Sequence, residues 1–409
     1  MSARGPHPVR IVVTDDLQRS RLTVFFRVFL AFPHYIWALL IGSAVGVCVF
    51  VNWFILLIKG RTPDALHDFI AGYVRYLAHL EAYFLLAANP FPSFYLIGKP
   101  TYPVDLEIDP PAPQNRWKTG FRIFLAIPAL MVASTLLFGG ARGGGYFVGG
   151  IALLVAGLAW WVAMVRARIP RGMRDLMVYS LGYAAQVSAY VFLITDRYPF
   201  ASPSEFVSRS PAEPQIEPHP VSMPVTDELR RSRVLVLFRL PLALPHLVWL
   251  LLWGVVALIT SILMWICAVA IGRPPRPFHR FLSRYVRYET HVYAFLFMVG
   301  NPFPGFVGRP GSYPVDLELP GPEPQHRLIS LFRLVLAFPA LLISSALGGA
   351  ILAAAFLGWF VGLVRGQMPE GLRNLGAYGL RYSGQTYAYL YFLTARYPDS
   401  GPRPDPASP

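Results

Sequence analysis

Between Arg27 and Lys59 the chain runs for 31 residues without an Asp, Glu, Lys or Arg. A bilayer core needs only about 20 apolar helical residues to cross, so this stretch belongs in lipid rather than water. Comparable charge-free runs follow Arg122 (to Arg142), Arg239 (to Arg273) and Arg333 (to Arg365). Four such runs exclude an ordinary soluble domain, and a mean hydropathy of +0.46 with 55% hydrophobic residues agrees. The first run is too long for the apolar core of a cleavable signal and follows a polar stretch, so it is expected to be retained.

The runs are parts of a repeat. Counting from Pro8, Pro103, Pro220 and Pro314, an arginine stands thirteen residues on at Arg21, Arg116, Arg233 and Arg327, and another nineteen on at Arg27, Arg122, Arg239 and Arg333. A proline follows at offset twenty-five: Pro33, Pro128, Pro245 and Pro339. Trp53, Trp160, Trp265 and Trp359 align next, once a twelve-residue Gly-rich insertion in the second copy is removed. The same correction aligns Pro63, Pro170, Pro275 and Pro369, with Tyr76, Tyr183, Tyr288 and Tyr382 thirteen residues beyond them. The copies form two classes, because His34, His67 and His79 recur as His246, His279 and His291 only in the third. Duplication of a unit, then of the pair, explains this most simply.

Each unit opens on a short alternating segment, clearest in YPVDLEID at Tyr102 to Asp109, that reads as a half-exposed strand outside the bilayer. RLTVFFRVFLAFP and its equivalents read as an interfacial helix. One tilted span then starts at the proline, with a re-entrant hairpin as its rival. After a basic turn such as KGRTP comes a second, more polar helix, which must face the bundle interior. The expected fold is therefore an all-α polytopic membrane protein of about eight transmembrane helices from four two-helix repeats, with short extramembrane strands. Its first half covers 1–200 (units 8–92 and 103–199), a Pro-rich linker 201–219, its second half 220–398 (units 220–304 and 314–398), and a disordered tail 399–409. On this reading the strand segments and termini share one side and the basic turns the other. Arg and Lys are plentiful on both sides, so the positive-inside rule leans only slightly to cytoplasmic termini.

The combination of YPVDLEIDPP, NRWKTGFRIFLAIP, a Trp-bearing span and an amphipathic helix closing on Tyr-Pro resembles the bacterial membrane family catalogued as domain of unknown function 4389. The resemblance runs from Pro8 to Pro199 and again from Pro220 to Pro398; the third copy departs from it with SMPVTD in place of a YPV strand. It implies a multi-pass protein of the bacterial plasma membrane, and carries no reaction, cofactor or catalytic residue.

Among charged residues, Arg21, Arg27, Arg116, Arg122, Arg233, Arg239, Arg327 and Arg333 are candidate anchors to anionic lipid headgroups. His79, Gln186, His291 and Gln385 occupy one offset and form a candidate inner polar layer. Tyr76, Tyr183, Tyr288 and Tyr382, three positions earlier, are candidate hydrogen-bond partners for it. Glu81 and Glu289 complete the layer, with an ion pair to a nearby Arg as their default state.

Cys48 and Cys267 sit in apolar runs at different offsets, so neither disulfide nor metal pairing is expected. No motif for a nucleophile, metal or phosphate loop is present, and the Gly cluster at Gly139 to Gly150 reads as a loop or broken helix end. The net charge of +14 sits beside apolar runs rather than on a nucleic-acid-binding face. No enzyme activity and no cofactor are therefore expected. The partners expected are the bilayer and another membrane protein, for a scaffold or accessory subunit; the alternative is a transporter or lipid-handling protein.

Overall fold

The computed structural model describes residues 6–96, 101–137, 150–206 and 217–402. The chain divides into two compact units, one up to Glu213 and one from Pro214. In the first, strand β1 (Val9–Val13) leads into helix α1 (Arg21–Lys59), and α2 (Asp64–Phe84) returns along it. Strand β2 (Val104–Ile108), α3 (Arg116–Gly120), α4 (Arg122–Leu136), α5 (Ile151–Arg166) and α6 (Arg171–Val191) repeat that order. The second unit contains α7 (Arg233–Leu237), α8 (Arg239–Ala270), α9 (Arg276–Leu296), α10 (Arg327–Leu331), α11 (Arg333–Arg365) and α12 (Glu370–Leu390).

Helix α1 buries one narrow stripe, Val24, Arg27, Ala31, His34, Ala38, Val45, Asn52 and Leu56, spaced by three, four or seven. Elsewhere on its circumference large apolar side chains stand open, with Phe29 73% and Leu40 60% exposed. So much apolar surface is stable only in lipid. Small residues on the equivalent stripe of α8, Ala243, Ala257 and Ala268, let its neighbours approach closely. Helices α1, α8 and α11 are each long and apolar enough to cross a membrane, consistent with a polytopic α-helical membrane protein.

By length and composition the second helices do not join these three. Helices α2, α6, α9 and α12 have 21 residues each but are too polar to belong with the three apolar ones. Their polarity has a place to go because each buries about half or more of its residues against protein. Helix α2 packs against α1, α6 and β2, and α6 against α2, α4, α5 and β1. Each half thus has its second helices at the centre, with long apolar helices on one side and strand segments on another.

Four local expectations also change. Pro33 lies inside α1, which runs unbroken from Arg21, so in this copy the interfacial helix and the span are one element. Among the described residues only β1 and β2 form a ladder; the third and fourth copies make isolated bridges, Ser222 to Glu318 and Val225 to Val315. Pro224 stands there at the offset of Val12 and removes one ladder donor. The start of the expected linker is packed, with Phe206 buried and 5.5 Å from Tyr179 between ring centres. The start of the expected tail is packed too, since the Tyr378 hydroxyl donates to Ser400 O. Residues 207–216 and 403–409, and all but the last residue of the Gly cluster, lie outside the described residues.

Within each half the two copies are related by a local two-fold. The ladder pairs Val9 with Ile108, Ile11 with Leu106 and Val13 with Val104, so each strand meets the other in reciprocal register. Trp53 Nε1 donates to Thr119 O and Trp160 Nε1 to Val24 O, both at 3.1 Å; Trp265 to Ser330 O and Trp359 to Val236 O repeat the exchange in the second half. Gln114 N donates to Gly60 O and Arg19 N to Ala167 O, as Gln325 N does to Gly272 O and Arg231 N to Gly366 O. The segment entering each long helix is therefore bonded to the basic turn that ends its partner. This differs from the expectation that strand segments and basic turns occupy opposite sides.

The turn residue needs the left-handed region, with φ of 72° at Gly60, 73° at Gly272 and 66° at Gly366, while the second copy forces Ala167 to 53°. A Cβ there costs about 1 kcal/mol. Ala167→Gly is expected to raise stability by roughly 0.5–1 kcal/mol, read as a higher unfolding midpoint in detergent.

Candidate functional site

The most regular constellation surrounds the offset-nineteen arginines. Each second helix ends in a left-handed residue that is not glycine: Leu86, Leu193, Met298 and Phe392, with φ of 62° to 66°. The turn aims carbonyls inward, and the arginine grips them. Arg27 Nη1 donates to Tyr83 O at 2.6 Å and Ala88 O at 3.0 Å. Arg122 does so to Tyr190 O and Thr195 O, Arg239 to Phe295 O and Gly300 O, and Arg333 to Tyr389 O and Thr394 O. Each guanidinium also lies 4.3–4.6 Å above the ring of Tyr83, Tyr190, Phe295 or Tyr389. These four arginines are buried and bind protein, which corrects their assignment as headgroup anchors. Arg21, Arg116, Arg233 and Arg327 are exposed; Arg21 and Arg233 donate to the last-turn carbonyls of Val165 and Val364.

A second clamp escaped the sequence reading. Arg19 forms a buried ion pair with Asp15 at 2.9 Å and donates to Leu86 O and Ala87 O; Arg231 and Asp227 repeat it at 2.6 Å on Met298 O and Val299 O. At the same offset in the other copies, Gln114 and Gln325 accept from Arg122 and Arg333. Its signal was present as an Asp-to-Arg spacing of four in copies one and three.

The side chains that share one offset, His79, Gln186, His291 and Gln385, are each bonded within their own half. Each fastens its own helix to the strand layer. His79 Nε2 lies 2.7 Å from Asp105 Oδ1, with Arg75 at 3.6 Å, and His291 lies 2.8 Å from Asp316 Oδ1, with Arg287 at 3.3 Å. Gln186 Nε2 donates to Val9 O and Gln385 Nε2 to Val221 O, while their oxygens accept from Phe200 N and Asp399 N. All four are buried, so these bonds are made out of water.

The tyrosines take other partners than expected. The Tyr76 hydroxyl lies 2.8 Å from His34 Nδ1 and that of Tyr288 2.7 Å from His246 Nδ1. His34 stacks on Phe94 at 3.9 Å and His246 on Phe306 at 4.2 Å. The Tyr183 hydroxyl donates to Ala129 O, and Tyr382 is fully buried. The histidine of one class and the alanine of the other, at the offset of His34, gave the signal for this contact.

The carboxyl groups of Glu81 and Glu289 have no hydrogen bond or ion pair among the described residues, against the expected pairing with Arg. They lie on α2 and α9, outside the three apolar helices, where burial pushes both carboxyls up to about 7. The phenols of Tyr35 and Tyr73 lie near the first, and those of Tyr285, Tyr293, Tyr387 and Tyr391 near the second. The described residues hold no group of three His, Cys, Asp or Glu placed for a metal, and Cys48 and Cys267 are free.

A family model, Domain of unknown function (DUF4389), matches residues 21–95, 233–307 and 327–400. The matched segments open at offset-thirteen arginines, and the copy carrying the Gly-rich insertion is not among them. No curated protein and no solved structure matches the chain.

Proposed function

The chain belongs to the DUF4389 family, and from that premise we propose that it is a non-enzymatic membrane scaffold or accessory subunit built from four tandem copies of the family unit. The observation that carries this reading is the fastening of His79, Gln186, His291 and Gln385 to the strand layer. Polar groups consumed in tying elements together hold a fixed shape and leave no chain of acceptors for a moving solute. In each half the strand segments then form a rigid platform beside its apolar helices, where another membrane protein docks. We place the chain in a bacterial plasma membrane, termini and platform cytoplasmic, with Arg21, Arg116, Arg233 and Arg327 against anionic headgroups.

The transport or lipid-handling reading draws on Glu81 and Glu289, whose carboxyls lack a cation partner. The two separate in one experiment. A scaffold crosslinked in situ should come out of detergent with one partner in fixed stoichiometry, and the purified chain should leave the transbilayer movement of fluorescent lipids in vesicles unchanged. Lipid movement that rises with chain content and falls in Glu81→Gln with Glu289→Gln would replace the scaffold reading.

A further inference from the structure

Length and composition allow the long helices to cross a bilayer, but the two-fold within each half constrains how they lie. An axis along the membrane normal keeps both copies at one depth, whereas an axis in the membrane plane turns one copy over. The ladder decides between them. Its reciprocal register puts it on the axis, and its outer face carries the open ion pairs of Arg10 with Asp109 at 2.9 Å and Glu107 at 3.5 Å. An in-plane axis would hold these charges at mid-bilayer depth, where each costs several kcal/mol. It would also run α9 across the hydrocarbon with Arg280 and Arg284 exposed in its first half.

With the axis along the normal, the hydrogen bonds between copies fix the rest. Gln114 N to Gly60 O joins the start of the second long segment to the end of the first, and Arg19 N to Ala167 O joins the opposite pair. Both starts share one depth by symmetry, so both ends share it too. The same bonds recur at Gly272 and Gly366 in the second half. Helix α1, with 39 residues, is about 58 Å long, roughly twice the core of a bilayer. It has no charge between Arg27 and Lys59, and large apolar side chains stand exposed from Phe29 through Leu40 to Ile58.

We propose that each half is embedded in a single leaflet from one face, its long helices lying along the membrane plane in the acyl chains and its strand segments and basic turns together at the headgroups. The occupant of the apolar face is lipid hydrocarbon, and this holds whether or not the scaffold reading does.

The test uses the full chain with Cys48→Ala and Cys267→Ala. Single cysteines are placed at the exposed Gln18 and Arg61, and in the second half at Glu228 and Arg273. An impermeant maleimide applied to sealed vesicles of one orientation should label both members of each pair or neither. Labelling of one member alone means that the helix crosses, and overturns the proposal. Nitroxides at Phe29, Leu40 and Val51, which are 73%, 60% and 47% exposed, supply the second measurement. A crossing helix spreads these positions over about 33 Å of depth; the proposal expects them within about 10 Å, less than one leaflet core. A steady progression in depth overturns it. Shielding of all three from lipid-borne quenchers does so as well, because protein would then cover the face.

Discussion

Arg333→Ala should be among the most destabilising single substitutions in the chain, at about 3–5 kcal/mol. The guanidinium is 1% exposed and donates to Tyr389 O at 2.8 Å, Thr394 O at 3.1 Å and Gln325 Oε1 at 2.5 Å. It is also held over Tyr389 and Phe392, each at 4.4 Å. Truncation leaves Thr394 O and Gln325 Oε1 dry and unpaired, at about 1–3 kcal/mol each before relaxation, and leaves Tyr389 O only the 3.2 Å bond from Phe392 N. It also opens a space beneath two rings and releases the left-handed turn at Phe392, whose φ of 62° is tolerable only while its carbonyls are held. Arg333→Lys keeps the charge but not the fork, and should recover less than half of the loss. Arg327→Ala, at the exposed arginine six residues earlier, should change stability by no more than about 0.5 kcal/mol. Denaturant unfolding in detergent compares the three. Equal losses at Arg327 and Arg333 would mean that the carbonyl clasp carries no special share of stability.

How much of this was legible in the sequence depends on what a repeat can encode. Offsets identify equivalent positions, and the equivalences recur as contacts: four tryptophans each donate to one carbonyl, and four arginines each grip one turn. Offsets do not say which copy supplies the partner. Trp53 could as well have bonded within its own unit; that it reaches Thr119 follows from a two-fold that no single-chain periodicity reports. The offset-nineteen arginines resembled headgroup anchors because an Arg beside an apolar run commonly is one. What draws them inward is a left-handed turn at Leu86, Leu193, Met298 and Phe392, and with no glycine there the turn has no signature.

The second helices were harder for a different reason. Their Arg, His and Glu content marked them as internal, but it looked like the lining of a bundle that crosses the membrane. The alternating strand segments already held the missing term, since a layer outside the bilayer can satisfy one face of such a helix. Asp105 and Asp316 stand in those segments within hydrogen-bonding reach of His79 and His291. Reading strand and helix as partners, rather than as neighbours in sequence, would have moved the polar layer from the middle of a bundle to its edge.

That edge should be sensitive to acid. Asp316 Oδ1 accepts from Leu317 N at 2.8 Å and lies 2.8 Å from His291 Nε2 and 3.3 Å from Arg287 Nε; Oδ2 accepts from Gly311 N at 2.5 Å. Burial works against its ionisation, but the His291 and Gly311 hydrogen bonds, with the charges of His291 and Arg287, outweigh it and hold the carboxyl below its ordinary value. The sign follows from linkage. A carboxyl whose pKa is lower folded than unfolded contributes stability that is complete above the unfolded value of about 3.9 and is lost as pH falls through the folded one. The second half should therefore keep its unfolding midpoint from pH 7 to about 5 and lose stability below about 4. Asp316→Ala removes the acceptor from buried Arg287 and His291 and should cost about 3–5 kcal/mol at neutral pH. Asp316→Asn keeps the shape but not the charge, so it should be less stable than the natural chain at pH 7 and lose less on acidification. Unfolding of both variants and the natural chain from pH 7 to pH 3 in one detergent measures the difference. An Asn variant that loses as much stability on acidification as the natural chain would show that the acid sensitivity belongs to another carboxylate.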